Sequence, residues 1–306
     1  VTDWEENYCS TLAPSTVHGY QTAKNTALEY FNGVYVKDIQ TSDVRQFAES
    51  LPRSYSEHTI SNYVNVLSSI MAYAVRSRDY PISLNPCSNA RIHLGTEATE
   101  RRVVTDGEMR LIMQNADKPF GLFPLLLLFT GCRRGEALAL DWRDIDIKSD
   151  TITIDKSLSW KHCRPFIKTP KTKKCRRSIV LLPELKKHLK PKSGIIFPNR
   201  EGNLMTENQY EKAWSRYLSE SGLKSYGEEH ELSKLTAHCL RHGYATILYE
   251  ANVDVKEAQR LLGHAKEATT RNIYTHITER TEAKNVKRLK LYVNKTFNNK
   301  PKKKSS

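Results

Sequence analysis

Residues 236–246, TAHCLRHGYAT, put His238, Arg241 and His242 within five positions. Side chains three and four apart share a helix face, so a helix here would stack cations on one stripe. That crowding costs free energy unless an anion sits against it. A phosphate group would relieve the cost, and arginine is the side chain best shaped to grip one, through two parallel hydrogen bonds. Taken alone, the segment fits a satisfied surface or core histidine cluster better than an anion site. His238 and His242 also have the i, i+4 spacing of the zinc motif H-E-x-x-H, but Cys239 stands where that motif needs its general-base glutamate, so the metalloprotease version fails.

Three more segments carry groups of the same kind. In TGCRRGEALALDW (130–142), Gly131 follows an apolar run, and Glu136 lies three residues after Arg133, where its carboxylate can orient an arginine of its own helix. KTPKTKKCRRSIVL (168–181) sets Lys168, Lys171, Lys173 and Lys174 at a turn between two strands; on charge alone such a run is a solvated hairpin tip. RLLGHAKEATTRNIYTHI (260–277) contains His264 and, ten residues on, Tyr274.

The elements that must hold these groups are mainly helices. HTISNYVNVLSSIMAYAV repeats Ile60, Tyr63, Val64, Leu67, Ile70, Met71 and Ala74 at threes and fours, which predicts an amphipathic helix with one buried stripe. STVHGYQTAKNTALEYF predicts an earlier helix capped by Ser15 or Thr16, and TSDVRQFAESL a short one between them. Pro81, Asn85 and Pro86 end this helical region, and the polar, aperiodic RIHLGTEATERR reads as a linker. Thr105 and Glu108 then form a capping box that opens a second domain near Val104. TITIDKS (151–157), LSWKHCRPFIK (158–168) and RRSIVLL (176–182) read as three strands of a small antiparallel sheet. Helices return in ENQYEKAWSRYL, TAHCLRHGYATILYE and DVKEAQRLL, the last closed by Gly263, and EAKNVKRLKLYVNKTF reads as a basic amphipathic helix with Val286, Leu289 and Val293 aligned.

Composition narrows the function classes. The 306 residues are 39% hydrophobic, enough for two domains with real cores, which excludes disorder throughout. Lys plus Arg exceed Asp plus Glu by 48 to 34, and the resulting +14 points to a polyanionic partner, nucleic acid first. Six cysteines (Cys9, Cys87, Cys132, Cys163, Cys175 and Cys239) include no C-x-x-C pair, so neither a disulfide framework nor a zinc ribbon is indicated and a reducing compartment is expected. The most apolar run, Phe120 to Gly131, is interrupted by Pro124 and too short to span a bilayer, and no signal peptide opens the chain, so no membrane partner is expected.

Four chemical segments in this order and at these spacings resemble the tyrosine recombinase family, the phage-type integrases. The family pattern T-G-x-R-x-[SG]-E matches Thr130 to Glu136, H-x-L-R-H matches His238 to His242, and L-G-H followed by Y-x-H matches Leu262 to His276. The resemblance implies catalytic roles for Arg133, His238, Arg241 and His264, with Tyr274 as nucleophile, and it matches the family's hairpin lysine best to Lys171. It implies a mainly α fold with a small antiparallel β-sheet: a helical core-DNA-binding domain over 1–94, a linker over 95–103, a mixed α/β catalytic domain over 104–281, and a basic C-terminal helix and tail over 282–306. Ahead of the helical module there is no room for the additional small domain that integrases of this type often use on arm-type DNA sites, so a truncated chain or a simpler member is expected.

The implied activity is site-specific DNA recombination for a mobile element. Arg133 and Arg241 would clamp the scissile phosphate, His264 would add a hydrogen bond, Tyr274 would attack with His238 assisting, and Lys171 would protonate the departing 5′-oxygen. The resulting 3′-phosphotyrosine permits rejoining without ATP, metal or any other cofactor. Implied partners are double-stranded DNA recombination sites, a homotetramer of the chain on that DNA, and an excisionase or host DNA-bending protein, in the cytoplasm and on the nucleoid. A type IB topoisomerase shares the chemistry but works as a monomer, and the tail helix and integrase-like N-terminal module argue against it. A DNA-binding protein that has lost catalysis fits poorly because every catalytic position is filled, and a metal-dependent nuclease fits poorly because clustered carboxylates are lacking.

Overall fold

The chain divides into two units, Val1–Glu100 and Arg101–Ser306, each with its own buried hydrophobic clusters. The computed structural model describes residues 1–12, 14–77, 79–80, 82–90, 94–96, 102–168, 176–263 and 267–275. Lys171, His264, His276, most of the expected linker and the whole expected C-terminal helix lie outside those residues.

The first unit is built from helices α1 (Thr2–Asn7), α2 (Pro14–Tyr30), α3 (Thr41–Ser50) and α4 (Glu57–Arg76). Ser56 caps α4, its Oγ accepting the Thr59 N–H at 3.2 Å. The expected stripe is buried from Ile60 to Ala74, with Tyr63 only half-buried. Two clusters explain why the stripe is wide. Ile60, Val64, Leu67 and Met71 pack around Phe47 of α3, whereas Val66 and Ile70 turn toward Trp4 of α1. Helix α2 starts at Pro14, a residue suited to the first helical position because its missing N–H would have had no partner there. Ser15 and Thr16 therefore stand inside the first turn and not ahead of it, which corrects the expected cap.

In the second unit, Thr105 and Glu108 make the expected capping box at the start of α5 (Asp106–Gln114): the Glu108 N–H donates to Thr105 Oγ1 at 3.2 Å, and the Thr105 N–H to Glu108 Oε2 at 2.9 Å. Helix α6 (Leu122–Thr130) is apolar on every side and buried from Phe123 to Leu128, so it forms the centre of the unit. Helix α7 (Arg134–Leu138) follows it after a tight reversal. Strands β1 (Ile145–Asp146), β2 (Thr151–Ile154), β3 (Ser157–Lys161), β4 (Arg164–Lys168) and β5 (Arg177–Val180) come next. Then follow α8 (Pro183–Lys186), α9 (Glu207–Glu220), α10 (Leu223–Glu229), α11 (Ala237–Glu250), α12 (Val255–Leu262) and helical residues 267–275.

The strands depart from the expected single sheet. One antiparallel sheet has the order β1-β2-β5, with Ile152 opposite both Ile145 and Ile179; a separate hairpin pairs β3 with β4. The expected second strand, 158–168, folds back on itself at His162 and Cys163, whose φ angles of 48° and 62° suit a two-residue hairpin turn. Neither residue is the asparagine or glycine that usually marks such a turn, so no local signal announces it. Burial along β5 alternates, with Arg177 and Ile179 inward and Ser178 and Val180 outward. Among the described residues no helix is long and apolar enough to cross a membrane.

Candidate active site

The first arginine is delivered by a reversal that only glycine accommodates. Gly131 ends α6 at φ 61°, and a Cβ there would come within 2.4 Å of the Tyr244 ring. Two residues on, Arg133 is extended and precedes α7, so its N–H is one of the helix's unsatisfied donors; the Glu136 carboxylate folds back to accept it at 2.9 Å. The same carboxylate accepts from Arg133 Nη1 at 2.8 Å, fixing a side chain that is otherwise half exposed. Arg133 Nη2 then reaches the Gly263 carbonyl at 2.8 Å.

Helix α11 delivers the second. The Thr236 hydroxyl caps it by accepting the Cys239 N–H at 3.3 Å, and the periodicity puts His238, Arg241 and His242 on adjoining positions. Their surroundings differ sharply. His238 is exposed, while Arg241 and His242 are buried, and the two imidazoles meet edge to face with centroids 4.5 Å apart. Arg241 donates through Nη1 to the Gly131 carbonyl at 2.6 Å and through Nη2 to the Leu262 carbonyl at 2.5 Å. Burial, and then the nearby charge of Arg133, lower its pKa to about 10, so it remains a cation at neutral pH.

A third arginine joins them, Arg177, which the sequence places on the expected strand 176–182 without a role. Arg177, at an inward position of β5, donates Nε to the Leu261 carbonyl at 2.9 Å and both terminal nitrogens to Glu136, at 3.1 and 2.7 Å. The signal was available: Arg177 shares the period-two face of Ile179 and Leu181, and an arginine on a core-facing register needs a buried partner. Glu136 is that partner. Burial by itself would raise its carboxyl, but the hydrogen bonds and charge of Arg177, with those of Arg133, outweigh it and hold the group at about 2.

Three guanidinium groups therefore take three successive carbonyls, Leu261, Leu262 and Gly263, at the C-terminus of α12. Carbonyls at the C-terminal end of a helix carry the negative end of its dipole, which is where cations are stabilised. Gly263 closes the helix at φ 65°, and a Cβ there would meet Arg177 Nη1 at 2.8 Å.

Arg133, His238 and Arg241 line one pocket of about 460 Å³ with Arg134, Lys234 and others. Arg134 lies over Trp160 and Tyr210, 4.8 and 5.1 Å from the ring centres, so the β3–β4 hairpin packs against the residue next to Arg133. Tyr274 does not line this pocket. Its side chain is buried with Tyr244, Leu248, Leu261 and Leu262, edge-on to Tyr249, and its hydroxyl donates to the Val253 carbonyl at 3.4 Å. Burial, then the Asp254 charge, push the phenol up to about 12. Of the six residues singled out from the sequence, three share a pocket, Tyr274 sits apart from it, and Lys171 and His264 fall outside the described residues.

Residues 102–281 match the phage integrase family, and residues 1–51 match the phage integrase N-terminal SAM-like domain. The chain is 29% identical to a tyrosine recombinase XerC-like protein of Caldanaerobacter subterraneus subsp. tengcongensis, over 87% of this chain and 74% of the relative. It is 27% identical to the transposase from transposon Tn916 of Enterococcus faecalis, over 92% and 76%. In fold it resembles the Tn1549 transposon integrase, solved in complex with transposon right end DNA, with a TM-score of 0.73 at 21% identity, covering 94% of this chain and 97% of that one. With more than half of its length matched, the chain belongs to the phage integrase family and is a tyrosine-type site-specific recombinase.

Proposed function

We propose that this chain integrates or excises a mobile element by cutting and rejoining double-stranded DNA at specific sites, with Arg133 and Arg241 holding the scissile phosphate and Tyr274 attacking it. The observation that carries the reading is the convergence of Arg133 and Arg241, from distant segments, on one pocket and on adjacent carbonyls of one turn. A guanidinium has five N–H donors, and these contacts occupy two from Arg241 and two from Arg133, so each keeps donors for an anion.

In the reaction the Tyr274 oxygen forms a bond to phosphorus as the bond from phosphorus to the 5′-oxygen breaks. The phenolic proton leaves with the help of His238, and Lys171 gives a proton to the 5′-oxygen. The arginines, with His264, neutralise the charge that builds on the nonbridging oxygens. A 5′-hydroxyl from another strand then reverses these steps at the phosphotyrosine, so no external energy source is needed. Attack requires Tyr274 to leave the Val253 carbonyl and its apolar surroundings. Moving toward the arginines would also lower a phenol pKa that burial holds near 12.

The same reading assigns residues 1–94 to core-site DNA binding, 95–103 to a linker, 104–281 to catalysis, and 282–306 to contact with a neighbouring copy in a tetramer on DNA. An excisionase or a host DNA-bending protein would set direction. The net charge of +14 supports a DNA partner held largely through its phosphates. The test is incubation with a nicked suicide duplex taken from the end of the element that carries the gene, followed by a search for a covalent protein–DNA adduct. Wild type should form it and Tyr274→Phe should not; an adduct that survives in the mutant means another nucleophile is at work.

A further inference from the structure

We propose that Arg177 is a positioning residue for DNA cleavage: by holding Glu136 and the end of α12 together, it fixes both the Arg133 guanidinium and the turn that Arg133 and Arg241 grip. The inference rests on the reading of Arg133 as a phosphate ligand and deepens it.

Arg177 and Arg133 each touch both Glu136 and the end of α12, but only Arg177 does so with a buried side chain and with both terminal nitrogens on the carboxylate. Its Nη1 and Nη2 bind the two oxygens of Glu136, the carboxylate that also binds the side chain and the N–H of Arg133. Its Nε binds the Leu261 carbonyl, one residue before the carbonyl that Arg241 takes and two before the one that Arg133 takes. A bidentate fork fixes a carboxylate in plane and direction, which a single point charge does not. Removing Arg177 would leave the Glu136 carboxylate to rotate onto Arg133 and would release one of the three carbonyls that set the turn. Arg177 is itself buried and does not line the pocket, so it acts through Glu136 and the turn and not on the phosphate.

Glu136 supplies a readout that a merely structural role would not move. The groups that face it are Arg133 ahead of α7, Cys132 beside it, Arg177 on β5 and Arg241 on α11. With Arg177 present the carboxyl stays ionised at every pH near neutrality. Without it, burial is opposed chiefly by the half-exposed Arg133, and the carboxyl takes up a proton at a higher pH. A neutral Glu136 no longer pins Arg133.

The experiment measures single-turnover adduct formation on the nicked element-end duplex from pH 4 to pH 9, with DNA binding measured separately by mobility shift. Arg177→Met should form adduct about 100-fold more slowly while binding DNA within about threefold of wild type, the size of loss expected when reacting groups are misplaced by about 1 Å. Its rate should also fall toward acid through an added limb at roughly pH 4–6, the carboxylate range shifted by burial. Arg177→Lys keeps the charge but not the fork, and should lose about tenfold evenly across pH. Adding Glu136→Gln to Arg177→Met should abolish the limb. Should Arg177→Met not fold by circular dichroism, Arg177→Lys and the double variant carry the test. A folded Arg177→Met or Arg177→Lys that cleaves within threefold of wild type overturns the proposal, as does a loss in Arg177→Met that is even across pH. Tyr274→Phe and Arg133→Ala run alongside: adduct at wild-type rates in either sinks the proposed function itself, whereas wild-type rates confined to the Arg177 variants sink only the positioning role.

Discussion

Replacing Glu136 by glutamine should change how the stability of the second unit depends on pH. The folded carboxyl sits at about 2 against an ordinary value of 4.5. At about 1.4 kcal/mol per unit, this difference corresponds to about 3 kcal/mol of stability. Because the folded state holds the group below its unfolded value, that stabilisation is complete above pH 4.5 and is lost as the pH falls through 2. Glu136→Gln removes it at every pH and leaves Arg133 and Arg177 without their shared counter-charge. The mutant should therefore be about 3 kcal/mol less stable than wild type at pH 7, and the two should converge near pH 2. Urea unfolding at a series of pH values, followed by tryptophan fluorescence, measures this. Trp142, Trp160 and Trp214 belong to the second unit, and Trp4→Phe silences the tryptophan of the first. Two pH–stability curves that stay parallel from pH 7 to pH 3 would refute the claim that buried ion pairs hold Glu136 ionised.

Arg133→Ala should lower the rate of adduct formation by roughly a thousandfold, by analogy with other arginines that clamp a transferring phosphoryl group, while leaving affinity for the duplex nearly unchanged. Gly263→Ala should lose about 1–3 kcal/mol in unfolding experiments, because alanine must adopt a left-handed φ and its Cβ crowds Arg177. Affinity for duplex DNA should fall log-linearly with salt, with a slope of about −0.9 per phosphate contacted; a flat dependence would argue against phosphate-dominated binding. Cleavage should be indifferent to a chelator such as EDTA, and loss of activity that added Mg²⁺ restores would favour a metal-dependent nuclease.

Much of the scaffold was legible in the sequence because its signals are local. The i, i+3, i+4 repeat of α4, the Thr105–Glu108 box and the glycine after α12 each act within a few residues, and each is found where the pattern predicts it. The hairpin at His162 and Cys163 was not legible, because those residues reach positive φ only under the demand of β3–β4 pairing. Arg177 was read as part of a strand but given no role, because its partner Glu136 lies 41 residues away in the chain and only the packing of β5 brings the two together. For Tyr274 the motif supplied identity without pose. Its placement against Val253 depends on how α11, α12 and residues 267–275 pack, which no local pattern encodes.

The three-arginine hold on the end of α12 addresses main-chain oxygens, and that sets what the turn can tolerate over evolutionary time. Side chains at positions 261 and 262 are free to vary within the limits of the core, since no guanidinium touches them through these bonds. Backbone phase is not free. A single residue inserted in α12 ahead of Leu261 would swing each of the three carbonyls about 100° around the helix axis and sever all three attachments together. Related chains should therefore drift in residue type along this turn while keeping its length fixed.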